Sequence, residues 1–136
     1  MSMFNILDIS ASAMHAQTVR LNTVASNLAN ADSVSSNKDE TYRSKQPVFQ
    51  TILDQTTMEP KGGVRIKEIV ESQAPAKMEY NPNHPMANAE GYIFRPNVNP
   101  VEEMANMLSA SRSYETNIEV MNTSKQLLLR TIQLGK

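Results

Sequence analysis

Along the first thirty residues apolar positions recur at a helical interval. Leu7, Met14, Leu21 and Leu28 stand seven residues apart, and Phe4, Ala11, Thr18 and Ala25 line the adjoining row three residues earlier. Two such rows make a narrow stripe on one side of a helix. No Pro or Gly interrupts Met1 to Asp32, so the pattern predicts one unbroken helix, on the order of 40 Å long at the usual rise per residue. Its polar positions are unusual. Between Met1 and Asn30 the only charged side chains are Asp8 and Arg20, and the other polar positions are mostly Ser, Asn, Thr and Gln. A solvated helix face normally intersperses Glu and Lys, so this one is expected to be packed on more than one side.

From Asp32 to Gln46 the chain is polar and charged (DSVSSNKDETYRSKQ), which reads as a loop. The period then shortens. Val48, Phe49, Ile52 and Leu53 form one strand candidate, Val64 to Val70 after Gly62-Gly63 a second, Met78 to Tyr80 a third, and Tyr92 to Phe94 after Gly91 a fourth. Punctuated by Pro and Gly, these predict a small antiparallel β element. Pro47, Pro60, Pro75, Pro82, Pro85 and Pro96 all fall in this stretch, and proline removes a ladder donor, so the strands should be short or at edges.

A second long helix follows with a defined start. Asn99 suits the cap, Pro100 the first helical position, and Glu102 the place of a capping-box acid. Met107, Tyr114, Met121 and Leu128 repeat every seven residues, with Met104, Ser111, Ile118, Lys125 and Ile132 on the companion row. Leu127, Leu128, Leu129, Ile132 and Leu134 then widen the apolar face beyond a two-helix seam. That width calls for more than one neighbour. The expected fold is mainly α with a small β insert: residues 1–31 and 97–136 form a discontinuous coiled-coil domain of two terminal helices, and residues 32–96 form a loop and β-rich insert. The pair is expected to be antiparallel, leaving outer faces of small amides, hydroxyls and Ala.

Composition narrows the function classes. The chain has 136 residues, 13 basic and 14 acidic side chains and a net charge of −1, which gives no basic field for nucleic acid. With no Cys there is no disulfide, thiolate zinc site or cysteine nucleophile. Three Phe, four Tyr and no Trp supply little for a thick core, so elongated or assembly-dependent structure is expected. No apolar run reaches membrane-spanning length, and Met1 to Leu28 lacks the basic start, apolar block and cleavage site of a secretory signal.

Candidate chemistry is sparse. His15 has Val19, not a second ligand, four residues on, and His84 lies in the turn NPNHP. No HExxH, P-loop, GxGxxG or GxSxG string occurs, so no catalytic residue, metal or cofactor is expected. Asp39-Glu40 reads as loop charge and Glu102-Glu103 as helix N-terminal charge. Met104, Met107 and Met121 share a stripe with Ile118 and Leu128, which favours packing over a ligand groove. The strongest constellation is architectural: patterned helices at opposite chain ends bracket a small insert.

The two ends also carry a resemblance. Asn27-Leu28-Ala29-Asn30 is similar to the Asn-x-Ala-Asn signature of the bacterial flagellar axial proteins of rod, hook and hook-associated type. Extended strings resemble the proximal-rod members of that family: NILDISASAMHAQTVRLNTVASNLANADS, YRSKQPVFQ, GGVRIKEIVESQAP, NPNHPMANAEGYIFRPNV and MLSASRSYETNIEVMNTSKQLLLRTIQLGK. Where the wider family places Thr-x-Gly-Tyr soon after the signature, this chain has a longer polar loop before Tyr42-Arg43.

The resemblance implies a non-catalytic structural subunit of the flagellar basal body, exported without signal cleavage and located in the rod across the periplasm. It implies homo-oligomer contacts, the rod proteins FlgB, FlgF and FlgG as neighbours, and a junction with the inner-membrane ring and export gate, with no nucleic acid and no transmembrane insertion. The residues expected to carry assembly are Leu7, Met14, Leu21, Asn27, Leu28, Asn30, Met107, Tyr114, Ile118, Met121, Leu128 and Ile132. A small helical-hairpin adaptor or export chaperone is the alternative, though its solvent face should carry more charge than Met1 to Asn30 does.

Overall fold

A computed structural model describes residues 3–53 and 60–135. Helix α1 (Met3–Ala29) leads through a 3-10 turn (Lys38–Glu40) to strands β1 (Lys45–Leu53), β2 (Pro60–Glu71), β3 (Lys77–Tyr80) and β4 (Tyr92–Arg95), and helix α2 (Pro100–Leu134) closes the chain. The predicted helices and all four strand candidates are present. Helix α2 starts as its sequence dictates: Asn99 Oδ1 accepts from the Val101 amide at 3.2 Å and Pro100 occupies the first turn. The cap satisfies an amide that has no partner within the helix.

The two helices pack antiparallel. Arg20 Nη2 donates to Asn106 Oδ1 at 3.3 Å and Asn27 Nδ2 to Glu103 Oε2 at 3.0 Å, so position rises along α1 as it falls along α2. The buried positions on the two helices are mostly small or polar. On α1 Ser10, Ala16, Thr23, Val24 and Asn27 are buried, and on α2 Glu103, Ala110 and Ser124. Thr23 keeps its hydroxyl satisfied by donating to the Val19 carbonyl at 2.8 Å. Small side chains let two helix backbones approach closely, and hydroxyls bonded to their own helix add no unpaired group to the contact.

The seven-residue period of the sequence is therefore present with a shifted phase. Leu7, Met14, Leu21 and Leu28 are half-buried at the margin of the contact, while Phe4, Ala11, Thr18 and Ala25 are exposed. Small residues occur on both sides of α1: Ala11, Thr18, Asn22, Ala25 and Ala29 are exposed, Ser10, Ala16 and Thr23 are buried, and large apolar side chains are exposed beside the former. Phe4 is 64 % exposed, Val101 75 % and Leu134 88 %. The buried apolar residues among those described are few and mostly small: Ala16, Val24, Ala31, Ile93, Pro96, Val98 and Ala110.

The four strands form two separate two-stranded antiparallel ribbons. In the first, β1 pairs with β2 from Lys45 opposite Glu71 to Leu53 opposite Pro60, with irregularities at Val48/Phe49 and Thr51/Leu53. Pro47 and Pro60 sit within these strands, which a two-stranded ribbon tolerates because each strand is an edge. The ribbon rests on α1: Ser12 Oγ accepts from the Val64 amide at 3.2 Å and donates to the Ile9 carbonyl at 2.8 Å. Gly62 has φ +84°, and a Cβ there would lie 2.8 Å from Ile9 Cδ1, so both conformation and clearance require glycine. The second ribbon pairs β3 with β4, and Ser35 bridges to Phe94 at its edge. Arg95 Nε approaches Glu79 Oε2 to 3.0 Å, close enough for an ion pair though not aligned as a hydrogen bond.

Candidate assembly site at the Asn27 junction

Helix α1 ends without a glycine, and an asparagine does the work. Asn30 Nδ2 donates to the Ser26 carbonyl at 2.8 Å, the Asn30 amide bonds the same carbonyl at 3.2 Å, and Ser33 returns both its amide and its hydroxyl to the Asn30 carbonyl. These bonds satisfy last-turn acceptors that would otherwise be orphaned. The chain then turns back so that Tyr42 and Lys45 reach the end of α1.

Asn27, one turn before Asn30, is 1 % exposed. Its Nδ2 donates to the Lys45 carbonyl at 2.8 Å and to Glu103 Oε2 at 3.0 Å. Its Oδ1 accepts from the Tyr42 hydroxyl at 2.9 Å and the Lys45 amide at 2.8 Å. A side-chain amide has two donor hydrogens and two acceptor lone pairs, and all four are used. The orientation of the amide is fixed, since a flip would set its NH₂ against the Lys45 amide and its oxygen against the Lys45 carbonyl and the Glu103 carboxylate. One buried side chain thus ties together α1, the loop, the start of β1 and the first turn of α2. Glu103 is 6 % exposed, and its charge lies where the N-terminal end of α2 favours an anion. The Tyr42 hydroxyl lies 3.1 Å from Ser26 Oγ, and Lys45 Nζ sits 5.9 Å from the centre of the Tyr42 ring.

The expected assembly residues fall into three places. Asn27 is at the junction and Asn30 caps the same helix end. Leu7, Met14, Leu21, Leu28, Met107, Tyr114, Ile118, Met121 and Leu128 are half-buried along the helices, and Ile132 is exposed near the end of α2. The structure brings Asn27 together with Tyr42, Lys45 and Glu103, which the sequence reading left out. In the sequence Glu103 reads as ordinary helix N-terminal charge, and Tyr42 stands out only as part of the Tyr42-Arg43 pair after the polar loop.

The arrangement offers connection, not chemistry. Among the described residues no group of three or more acidic or histidine side chains is placed to hold a metal, and no helix is long and apolar enough to cross a membrane. Comparison with known proteins identifies the architecture. Residues 7–35, which contain Asn27 and Asn30, match the family described as flagella basal body rod protein, and residues 89–134, which contain Glu103, match that described as flagellar basal body rod FlgEFG protein C-terminal. Along its whole length, and the whole length of each relative, the chain is 52 % identical to the flagellar basal-body rod protein FlgC of Salmonella typhimurium and 50 % to that of Escherichia coli O157:H7. The chain belongs to the FlgC family. A more distant FlgC, from Bacillus subtilis, is 38 % identical over 151 aligned positions, again covering both chains fully. The FlgC family is one of structural rod proteins and not of enzymes, and the two matched segments place both partners of the Asn27–Glu103 bond in its terminal regions.

Proposed function

We propose that this chain is a structural subunit of the proximal rod of the flagellar basal body, where it transmits torque and forms part of the wall around the export channel. The observation that carries the reading is the distribution of burial on the helices: the buried positions are mostly small or polar, and large apolar side chains such as Phe4, Met104, Leu108 and Ile132 remain exposed. A lone soluble protein gains nothing from so much exposed apolar surface, whereas a subunit that buries it against neighbours gains on the order of 25 cal/mol per Å².

On this reading the terminal helices, residues 1–31 and 97–136, form a coiled-coil domain and residues 32–96 make outer lateral contacts that resist twisting. The chain reaches the periplasm through the flagellar export apparatus without losing a signal peptide. Its neighbours are further copies of itself, FlgB, FlgF and FlgG, and the junction with the inner-membrane ring and export gate. The half-buried rows through Leu7, Met14, Leu21 and Leu28 and through Met107, Tyr114, Ile118, Met121 and Leu128, with Ile132 beyond them, supply the contacts.

The test is Leu21→Asp and, separately, Ile118→Asp, each placing a carboxylate at the margin of the helix pair. Export of the chain from the cytoplasm should persist while rod assembly and swimming are lost. Normal swimming by both variants would overturn the assigned contacts. Hydrogen exchange on the isolated chain gives a second measure: terminal-helix amides should be less protected alone than in basal bodies, and equal protection in the two would rule out ordering by assembly.

A further inference from the structure

A cavity of about 200 Å³ lies at the open end of the first ribbon, and none of its lining residues belongs to α1 or α2. The loop before β1 brings Lys38, Arg43 and Ser44 to it, the segment after β2 brings Ser72 and Gln73, and Asn97, just before α2, completes the lining. The two sides meet where the Ser72 amide donates to the Ser44 carbonyl at 2.8 Å. The charge of this lining is one-sided. Lys38 and Arg43 are its charged side chains, while Asp39 and Glu40, in the same 3-10 turn as Lys38, lie outside it. Among the described residues Lys38 forms no ion pair. Arg43 makes one side-chain hydrogen bond there, a long one from Nη1 to Gln73 Oε1 at 3.4 Å. Gln73 is held for that contact, since its Nε2 donates to the Glu71 carbonyl at 3.3 Å. A guanidinium carries five donor hydrogens and an ammonium three, so most of the donor capacity converging here is uncommitted.

We propose that this cavity binds an oxyanion, the carboxylate of a peptide end or a phosphate group, between the Arg43 guanidinium and the Lys38 ammonium. Arg43 suits either group because its planar fork pairs two oxygens at once, and Lys38 adds a point charge beside it. The volume is below that of a site for a drug-sized ligand, so it admits the anionic group with a few atoms of its carrier. Binding has a structural consequence. Lys38 and Arg43 flank Tyr42 in the chain, and the Tyr42 hydroxyl donates to Asn27 Oδ1 at 2.9 Å, so a bound oxyanion clamps the loop that completes the Asn27 junction. The site is independent of the rod reading, which would stand if the cavity bound nothing.

The full chain, labelled with nitrogen-15, is titrated at neutral pH and fixed ionic strength with N-acetyl-dialanine, which ends in a carboxylate, with the C-terminal amide of the same dipeptide, and with inorganic phosphate. Amide shifts at Ser44, Ser72, Gln73 and Asn97 should saturate with the free-acid dipeptide, with phosphate or with both, and the uncharged amide should produce none. Saturation by the dipeptide alone assigns the site to a chain end, and saturation by phosphate alone assigns it to a phosphoryl group. Arg43→Gln and Lys38→Gln should each weaken binding about tenfold, the loss expected for one charge-assisted hydrogen bond. Lys67→Gln, on an exposed side chain of β2 outside the cavity, should leave it unchanged. Equilibrium dialysis of the same probes against the same variants reads the affinities without a resolved spectrum. Absence of saturation by either anion, an equal response to the uncharged amide, or unchanged affinity in Arg43→Gln would overturn the proposal.

Discussion

Asn27 and Glu103, 76 positions apart in the chain, are joined by a buried hydrogen bond of 3.0 Å that holds the end of α1 to the first turn of α2. The same amide fixes Lys45 through both its carbonyl and its amide. Removing this side chain leaves several buried groups unpaired at once, each at a cost of about 1–3 kcal/mol when no water replaces the bond.

Asn27→Asp should therefore be worse than Asn27→Ala. The aspartate keeps the size of the side chain but turns its donor into an acceptor facing both the Lys45 carbonyl and the Glu103 carboxylate. Asn27→Ala is expected to cost about 2 kcal/mol and Asn27→Asp about 3 kcal/mol or more. Urea unfolding of the purified variants at one protein concentration measures both. Equal midpoints for Asn27→Asp and the unsubstituted chain would show that the junction does not hold the fold.

Tyr42→Phe isolates a single bond of the junction. The ring and its contact with Lys45 stay, and only the hydroxyl that donates to Asn27 Oδ1 at 2.9 Å is lost. The expected loss is about 1 kcal/mol. In a cycle with Asn27→Ala the two losses should be less than additive, because they remove the same bond. Strict additivity in urea unfolding would contradict the geometry.

Much of this fold was legible in the sequence, but not all of its orientation. The helices were marked by uninterrupted seven-residue spacing and by Asn99-Pro100, and the strands by Gly62-Gly63, Gly91 and the proline punctuation. The phase of the helices was not legible, because apolar patterning reports which side is eventually buried, and here neighbours are proposed to bury part of it. Leu127 and Ile132 look like core in the sequence and are exposed in the single chain. The junction was half legible: the Asn-Leu-Ala-Asn string was conspicuous, whereas Glu103 resembled any first-turn acid and the return of Tyr42 depends on the path of a polar loop.

Gly62→Ala tests how firmly the first ribbon is seated on α1. The methyl group would enter a backbone conformation with φ +84° and come within 2.8 Å of Ile9 Cδ1. A loss of about 1–2 kcal/mol is expected. Paired with Ile9→Val, which trims that contact, the variant should recover part of the loss in the same unfolding measurement. No recovery would mean that backbone strain alone is responsible.

Leucine introduced on opposite sides of the helix pair separates folding from assembly. Ala110 is 0 % exposed at the contact with α1, so Ala110→Leu must push two helices apart and should cost about 1–3 kcal/mol. Ala25 is exposed on α1, and Ala25→Leu should change the stability of the isolated chain by about 0.5 kcal/mol or less. If the outer face of α1 is packed against neighbours in the rod, the same substitution should reduce basal-body assembly and swimming although the monomer is unharmed. Unfolding midpoints read the first effect, and swimming with basal-body yield reads the second. Normal swimming by Ala25→Leu would show that this side of α1 faces solvent in the rod, leaving the exposed flanks of α2 as the contact surfaces.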